Sequence, residues 1–147
     1  MSQWKVELHG DAFDLEVLPR LLRTWLARAT RDHSVAKALR MFSQERTWVN
    51  LDHVYEVVEA DIASQLGISL QRTDMSKLVA QEIERRGWAT VDAIDHLREP
   101  ANWEPWLGDN ARHGHITRKQ PKYSAPMRHS DADVLVRTIL REWLQAK

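Results

Sequence analysis

The sequence contains no cysteine, and this absence excludes disulfide bonds, thiolate zinc sites and cysteine nucleophiles together. It also has no apolar run near the roughly 18 residues that a membrane-spanning helix needs. The first residues, Met1 to Lys5, lack the apolar region of a signal peptide. We therefore expect a cytoplasmic protein with no membrane partner.

The chain also lacks an excess of charge of either sign: its 21 basic and 21 acidic side chains give a formal net charge of zero. A neutral total argues against a protein coated with nucleic acid along its whole length, but it is compatible with a local basic patch. The 147 residues, 43% of them hydrophobic, are enough for one domain with a buried core. We predict a single domain over residues 1–147.

Apolar residues recur every three to four positions along most of the chain, which is the period of an amphipathic helix. The pattern predicts an all-α bundle of five or six helices. The predicted spans are Asp11–Ala29, Ser34–Phe42, Trp48–Leu66, Thr73–Arg86, a short helix from the cap Thr90 to Pro100, and Asp131–Ala146. Residues 1–10 are predicted as a short extended arm, and the proline-rich residues 100–130 as a long irregular loop.

The first helix carries a regular apolar stripe, which we expect to be buried. Its members are Leu18, Leu21, Leu22, Trp25 and Leu26. Tryptophan is frequent in this chain, and Trp25, Trp48 and Trp143 are expected to anchor helix contacts in the core.

The segment from Ala111 to Ser130 is basic and contains no acidic residue. Cationic side chains in such a loop can bind the phosphates of RNA, and an aromatic ring can stack on a base. The candidates are Arg118, Lys119, Lys122, Tyr123 and Arg128. The alternative is a solvated loop whose charges offset acidic helices nearby.

Asp52, Glu56 and Glu59 fall on adjoining turns of the central predicted helix and form an acidic stripe beside its apolar face. Such carboxylates suggest a weaker hypothesis, a magnesium site. Glu56 and Glu59 resemble the paired carboxylates on the metal-binding helices of all-α nucleotide pyrophosphatases, with Asp92 and Asp95 as a second pair. Pairs of this kind are also common on solvated helix faces. The histidines His113, His115 and His129 have no carboxylate or cysteine at ligand spacing, so no cofactor is predicted.

Arg46 and His53 are seven residues apart, so both can project from one side of a helix start. An arginine can hold a phosphate while an imidazole moves a proton, which makes this pair an alternative site for RNA cleavage. The competing interpretation is a solvent-exposed arginine and a histidine on the shoulder of the helix.

Four short motifs occur in the same order as in a family of uncharacterised bacterial proteins. Arg46–Glu56 resembles the segment W-V-N-L-Y-x-x-Y-E of that family, Gly87–Thr90 its G-W-A-(S/T), and Ala111–Gly114 its A-R-H-G. A proline-bearing loop and a final helix ending in tryptophan follow, as at Pro126 and Trp143. The resemblance covers about two thirds of the chain and implies no particular activity.

The chain also resembles, more loosely, the HEPN superfamily of helical bundles, which includes metal-independent RNases. Those proteins carry an arginine followed by a histidine after four to six residues. Here Arg112 and His113 begin such a motif, although His115 comes earlier than that spacing. The resemblance implies catalysis by Arg112 and His113.

Three functions are therefore open. The first is a non-catalytic interaction or dimerisation module, either a homodimer or bound to another protein and associated with defence or RNA. The second is an endoribonuclease or RNA-binding protein that uses Arg112 and His113. The third is a magnesium-dependent nucleotide pyrophosphatase.

Overall fold

The computed structural model describes the backbone of residues 17–101 and 122–147, and the side chains of residues 20–98 and 122–147. Within these ranges it contains six helices and no strand, so the all-α prediction is confirmed. They are α1 (Val17–Ala29), α2 (His33–Phe42), α3 (Trp48–Gln65), α4 (Met75–Arg85), α5 (Val91–Ala101) and α6 (His129–Ala146). The predicted arm and most of the predicted loop lie outside the described residues.

Local signals set most of the helix ends where the sequence predicts them. The carboxylate of Asp32 accepts hydrogen bonds from the backbone N–H groups of Ser34 and Val35, which caps α2. Gly67, with φ 68°, follows α3, and the left-handed conformation that closes a helix there is one that glycine adopts without strain. Helix α5 ends at Ala101, one residue beyond the predicted stop at Pro100.

Helix α3 is the centre of the bundle and packs against α2, α4, α5 and α6. Its apolar face is buried as predicted, and the largest fully buried side chains on it are Leu51, Tyr55 and Ile62. Helix α6 runs in the same direction as α3. The rings of His129 and Trp48 meet where both helices begin, and Trp143 hydrogen-bonds to Asp61 near where both helices end. Of the three predicted tryptophan anchors, Trp143 is fully buried, while Trp25 and Trp48 pack half-buried against the core.

The predicted burial of the whole α1 stripe is wrong. Leu22 is 43% exposed and Leu26 is 60% exposed, whereas Trp25 and Ala29 pack against the core. The reason is that α1 packs mainly on α2, so only one side of the helix is covered. No helix in the described ranges has the length and hydropathy that a membrane crossing requires.

Candidate functional site

Helix α1 carries two of the five large apolar side chains that are exposed among the described residues, Leu22 and Leu26. Leu22 and Leu26 are separated by one helical turn, so their side chains lie on the same side of α1. Val134 on α6 and Leu66 and Leu70 after α3 are also exposed, but each belongs to a different part of the fold.

Arginines lie on the adjoining exposed side of the helix, with Arg23 one turn from Leu26 and Arg20 one turn from Arg23, and Arg31 follows the end of the helix. Arg20, Arg23 and Arg31 are all exposed. None of the three forms an ion pair with a residue that the structure describes, and residues 17–31 contain no acidic side chain. We call the five residues Leu22, Leu26, Arg20, Arg23 and Arg31 the α1 surface.

A shallow groove of about 390 Å³ adjoins the α1 surface where α1 ends. Lys147 closes it by pairing with Asp32 at 2.7 Å and with Asp61 at 2.8 Å. The hydrogen bond from Lys147 lowers the pKa of Asp32. The Arg28 guanidinium donates to the carbonyl oxygen of Leu144, which ties α1 to the end of α6. Arg28 and Lys147 of this groove therefore hold helices together, whereas Arg31, which also lines it, pairs with no residue that the structure describes.

A second cluster of charges is buried between α3 and α5. Asp52 is fully buried and Glu59 is 4% exposed. The Arg98 guanidinium donates to Glu59 Oε1 at 2.7 Å and has its Nε 3.7 Å from Asp52 Oδ1. The guanidinium also lies over the ring of Tyr55, 5.1 Å from its centroid. We call these four residues the buried ion cluster.

Burial and the neighbouring charges shift the pKa values of this cluster. Loss of water around the carboxylate raises the pKa of Glu59, although the charge of Arg98 and a hydrogen bond with Ser76 oppose the change. Burial also raises the pKa of the Tyr55 hydroxyl. Burial by itself lowers the pKa of Arg98, but Glu59 and Asp52 outweigh it and the pKa is raised. Arg98 therefore stays charged.

The predicted second carboxylate pair, Asp92 and Asp95, lies on α5 in contact with the end of the basic segment. Lys122 Nζ lies 3.1 Å from Asp95 Oδ2 and 3.7 Å from Asp92 Oδ1. The Tyr123 hydroxyl donates to Asp92 Oδ1 at 2.9 Å, and its ring stacks on that of His96. These contacts favour the interpretation in which the basic loop offsets an acidic helix.

Metal binding finds no support among the four predicted carboxylates. In the ranges with described side chains, no group of three or more histidine, aspartate or glutamate residues is arranged to hold a metal ion. Glu59 is bound by Arg98, and Asp95 by Lys122. Glu56 lines a groove between α2 and α3.

The alternative pair, Arg46 and His53, is engaged with two different helices. Arg46 pairs with Asp133 of α6 at 3.4 Å and stacks over the ring of Phe42. His53 lines the groove between α3 and α2, beside Lys37. The structure therefore gives each side chain its own surroundings instead of one shared cleft.

The other predicted site residues divide between the described and undescribed parts of the chain. Arg128 is exposed and pairs with Asp131 at 3.0 Å. Arg112, His113, Arg118 and Lys119 lie outside the described residues, so their roles stay predictions.

The sequence alone did not identify two features of these sites. It predicted Asp52 and Glu59 as part of a stripe beside the apolar face, and both are buried. It did not mark Arg98, although an arginine close to the buried Ile94 and Leu97 on one helix is a signal for a buried ion pair.

Comparison with protein-family models, curated proteins and solved structures gave no match to this chain. The resemblances to the bacterial family and to the HEPN superfamily therefore stay predictions from sequence motifs.

Proposed function

We propose that this protein is a non-catalytic interaction module that binds another protein through the α1 surface. The observation that supports this most directly is the exposure of Leu22 and Leu26, at 43% and 60%, on a helix whose opposite side packs on the core. Single exposed leucines are normal on a soluble protein. Two that lie one turn apart, beside the half-buried Trp25, form a continuous apolar strip, which supports a contact with a partner.

Complete burial of one leucine side chain stabilises a complex by roughly 1.5–3 kcal/mol, and part of this remains available at both exposed leucines. The charged groups near α3 and α5 contribute to folding instead, because Arg98 and Lys122 pair with carboxylates of the same chain. Among the described residues, the exposed leucines of α1 therefore present apolar surface whose burial would stabilise a complex.

Site-specific photo-crosslinking in the native host cell tests this proposal. A benzophenone amino acid replaces Leu26 in one variant and the exposed Gln81 of α4 in a matched control. We expect a discrete adduct, heavier than the 17.2 kDa chain, from position 26 and none from position 81. Leu22→Glu in the same chain should remove that adduct, because it places a charge in the contact.

A circular dichroism spectrum of each variant shows that the helices are intact. If position 26 gives no adduct in a folded protein, α1 does not bind a partner and the proposal is overturned. The same conclusion follows if positions 26 and 81 give identical adducts, because the contact would then be unspecific.

A further inference from the structure

We infer that the partner of the α1 surface is an acidic amphipathic helix of a different protein. This inference rests on the proposed function and specifies the chemistry of the partner. The partner's apolar residues would pack on Leu22 and Leu26, and its carboxylates would pair with the arginines beside them.

The spacing of the two leucines suits a helix. Side chains four residues apart form the ridges that interlock when two helices pack. Leu22 and Leu26 form one such ridge segment, and the half-buried Trp25 lies on the side toward the core. A partner helix with apolar residues at positions i, i+3 or i+4, and i+7 can place them around this ridge.

The exposed arginines of the α1 surface indicate that the partner helix carries acidic residues beside its apolar face. Arg20, Arg23 and Arg31 are exposed and make no ion pair with a described residue. Guanidinium groups bind carboxylates through two parallel hydrogen bonds, which are stronger than neutral ones. An acidic helix that covers the leucines would bring its carboxylates to Arg23, one turn from Leu26, and toward Arg20, one turn from Arg23.

A second copy of this chain fits the surface less well. A symmetric dimer places the same patch on both subunits, so α1 would face α1. Residues 17–31 carry arginine and no acidic residue, and such a contact would bring like charges together. This repulsion opposes the burial of the leucines.

An anionic membrane also fits less well. Helices that lie in a membrane interface have a broad apolar face that enters the acyl region. On α1 the exposed apolar residues with described side chains are Leu22 and Leu26 together with the small Ala27, and Trp25 packs against the core. This apolar strip is narrow for insertion into the acyl region of a membrane, but it is wide enough to contact one partner helix.

Three fluorescent peptides test the inference with the full chain. Each has about 20 residues, enough for a stable helix, and the same leucine seam, with Glu, Gln or Lys flanking the seam. We expect the Glu peptide to bind roughly tenfold more tightly than the Gln peptide, because several charge pairs at the rim of the contact each contribute a small amount. The Lys peptide should bind most weakly.

Charge reversal gives the matched test. The double variant Arg20→Glu, Arg23→Glu should prefer the Lys peptide over the Glu peptide. The control Lys77→Glu, at an exposed position of α4, should keep the wild-type order. Leu26→Glu should weaken binding of the neutral Gln peptide, since it removes the apolar contact.

Several outcomes overturn the inference without touching the proposed function. These are equal binding of the Glu and Gln peptides, binding of phosphatidylglycerol vesicles without peptide binding, and a Leu26-dependent dimer in sedimentation. Absence of peptide binding while the photo-adduct at position 26 persists also overturns the acidic-helix inference. Loss of the photo-adduct itself would instead remove the proposed function.

Discussion

Arg98 sits between two carboxylates that water barely reaches. Asp52 and Glu59 are buried on α3, and transfer of an unpaired carboxylate out of water is very unfavourable. The guanidinium of α5 compensates both charges, so α5 is held at one position along α3. Such an ionic cluster adds less to stability than an apolar contact of the same size, but its loss is severe.

Replacement of Arg98 by methionine tests this role. Arg98→Met leaves two buried carboxylates without their cation, and we expect the free energy of unfolding at pH 7 to fall by about 3 kcal/mol. Urea denaturation monitored by circular dichroism measures the change. Arg85→Met serves as control, because Arg85 is exposed and pairs with Glu82 on the surface of α4. Its unfolding curve should stay near that of the wild type.

The raised pKa of Glu59 fixes the sign of the pH dependence. A carboxyl whose pKa is higher in the folded state favours folding fully below its unfolded pKa, near 4.5, and this contribution is lost as pH rises through the folded value. Without Arg98 the pKa of Glu59 rises further. The defect of Arg98→Met should therefore be largest at pH 7 and shrink toward pH 5. A defect that grows on acidification would contradict the cluster as we describe it.

For single residues, the sequence shows which positions of the central helix carry a carboxylate, but it does not show which cation of another helix contacts them. Asp52, Glu56 and Glu59 stand out on the central helix from spacing alone. Their cation follows 39 residues after Glu59, and the two meet only because α5 folds back on α3. Periodicity within one helix carries no information about that contact.

Helix α6 is attached to α3 by a polar contact at its far end. Asp61 of α3 accepts a hydrogen bond from the indole Nε1 of the buried Trp143 at 2.8 Å, and another from Lys147. Trp143 is the largest fully buried side chain in the described core. Asp61 therefore fixes the helix through the one polar atom of that side chain.

Removal of this acceptor should loosen the end of α6. Asp61→Ala leaves the indole N–H buried without a partner, and we expect a loss of about 1–3 kcal/mol. Hydrogen–deuterium exchange should accelerate most in residues 139–147. Asp131→Ala, at an exposed position in the first turn of α6, is the control and should leave exchange in that range unchanged. Equal protection in Asp61→Ala would mean that apolar packing alone holds the helix.

The elements themselves follow from local chemistry, which explains why the sequence predicts them well. Caps such as Asp32 and stops such as Gly67 and Gly87 act within a few residues of the helix end. The burial of α1 does not follow, since it depends on how many other helices reach its sides. Leu22 and Leu26 have the sequence pattern of core residues, but they are exposed because α1 packs mainly on α2.

Over the whole molecule, a net charge of zero conceals a separation of charges. Residues 17–31 are basic, whereas Glu59 of α3 pairs with Arg98 and Asp95 of α5 pairs with Lys122. The neutral total predicts the absence of a chain-wide nucleic-acid surface, but the exposure of arginines that pair with no described residue on and just after α1 emerges only from the fold.

The interaction module makes a prediction about catalysis. In the described ranges, Arg46 pairs with Asp133 of α6, whereas His53 lines the groove between α2 and α3. General acid–base cleavage needs both groups within reach of one phosphate. The proposed non-catalytic module predicts that the protein leaves single-stranded RNA intact in EDTA and nucleoside triphosphates intact with magnesium.

Gel electrophoresis of labelled RNA and phosphate release measure these two activities, and the alternatives make contrasting predictions. RNA cleavage lost in Arg112→Ala, His113→Ala but retained in Arg46→Ala, His53→Ala would overturn the non-catalytic module and support the endoribonuclease. Magnesium-dependent hydrolysis lost in Glu56→Gln would support the pyrophosphatase instead. Because Arg46 pairs with Asp133 of α6 and His53 lines the groove between α2 and α3, their double variant is the control that separates a specific RNase site from a general effect of lost charge.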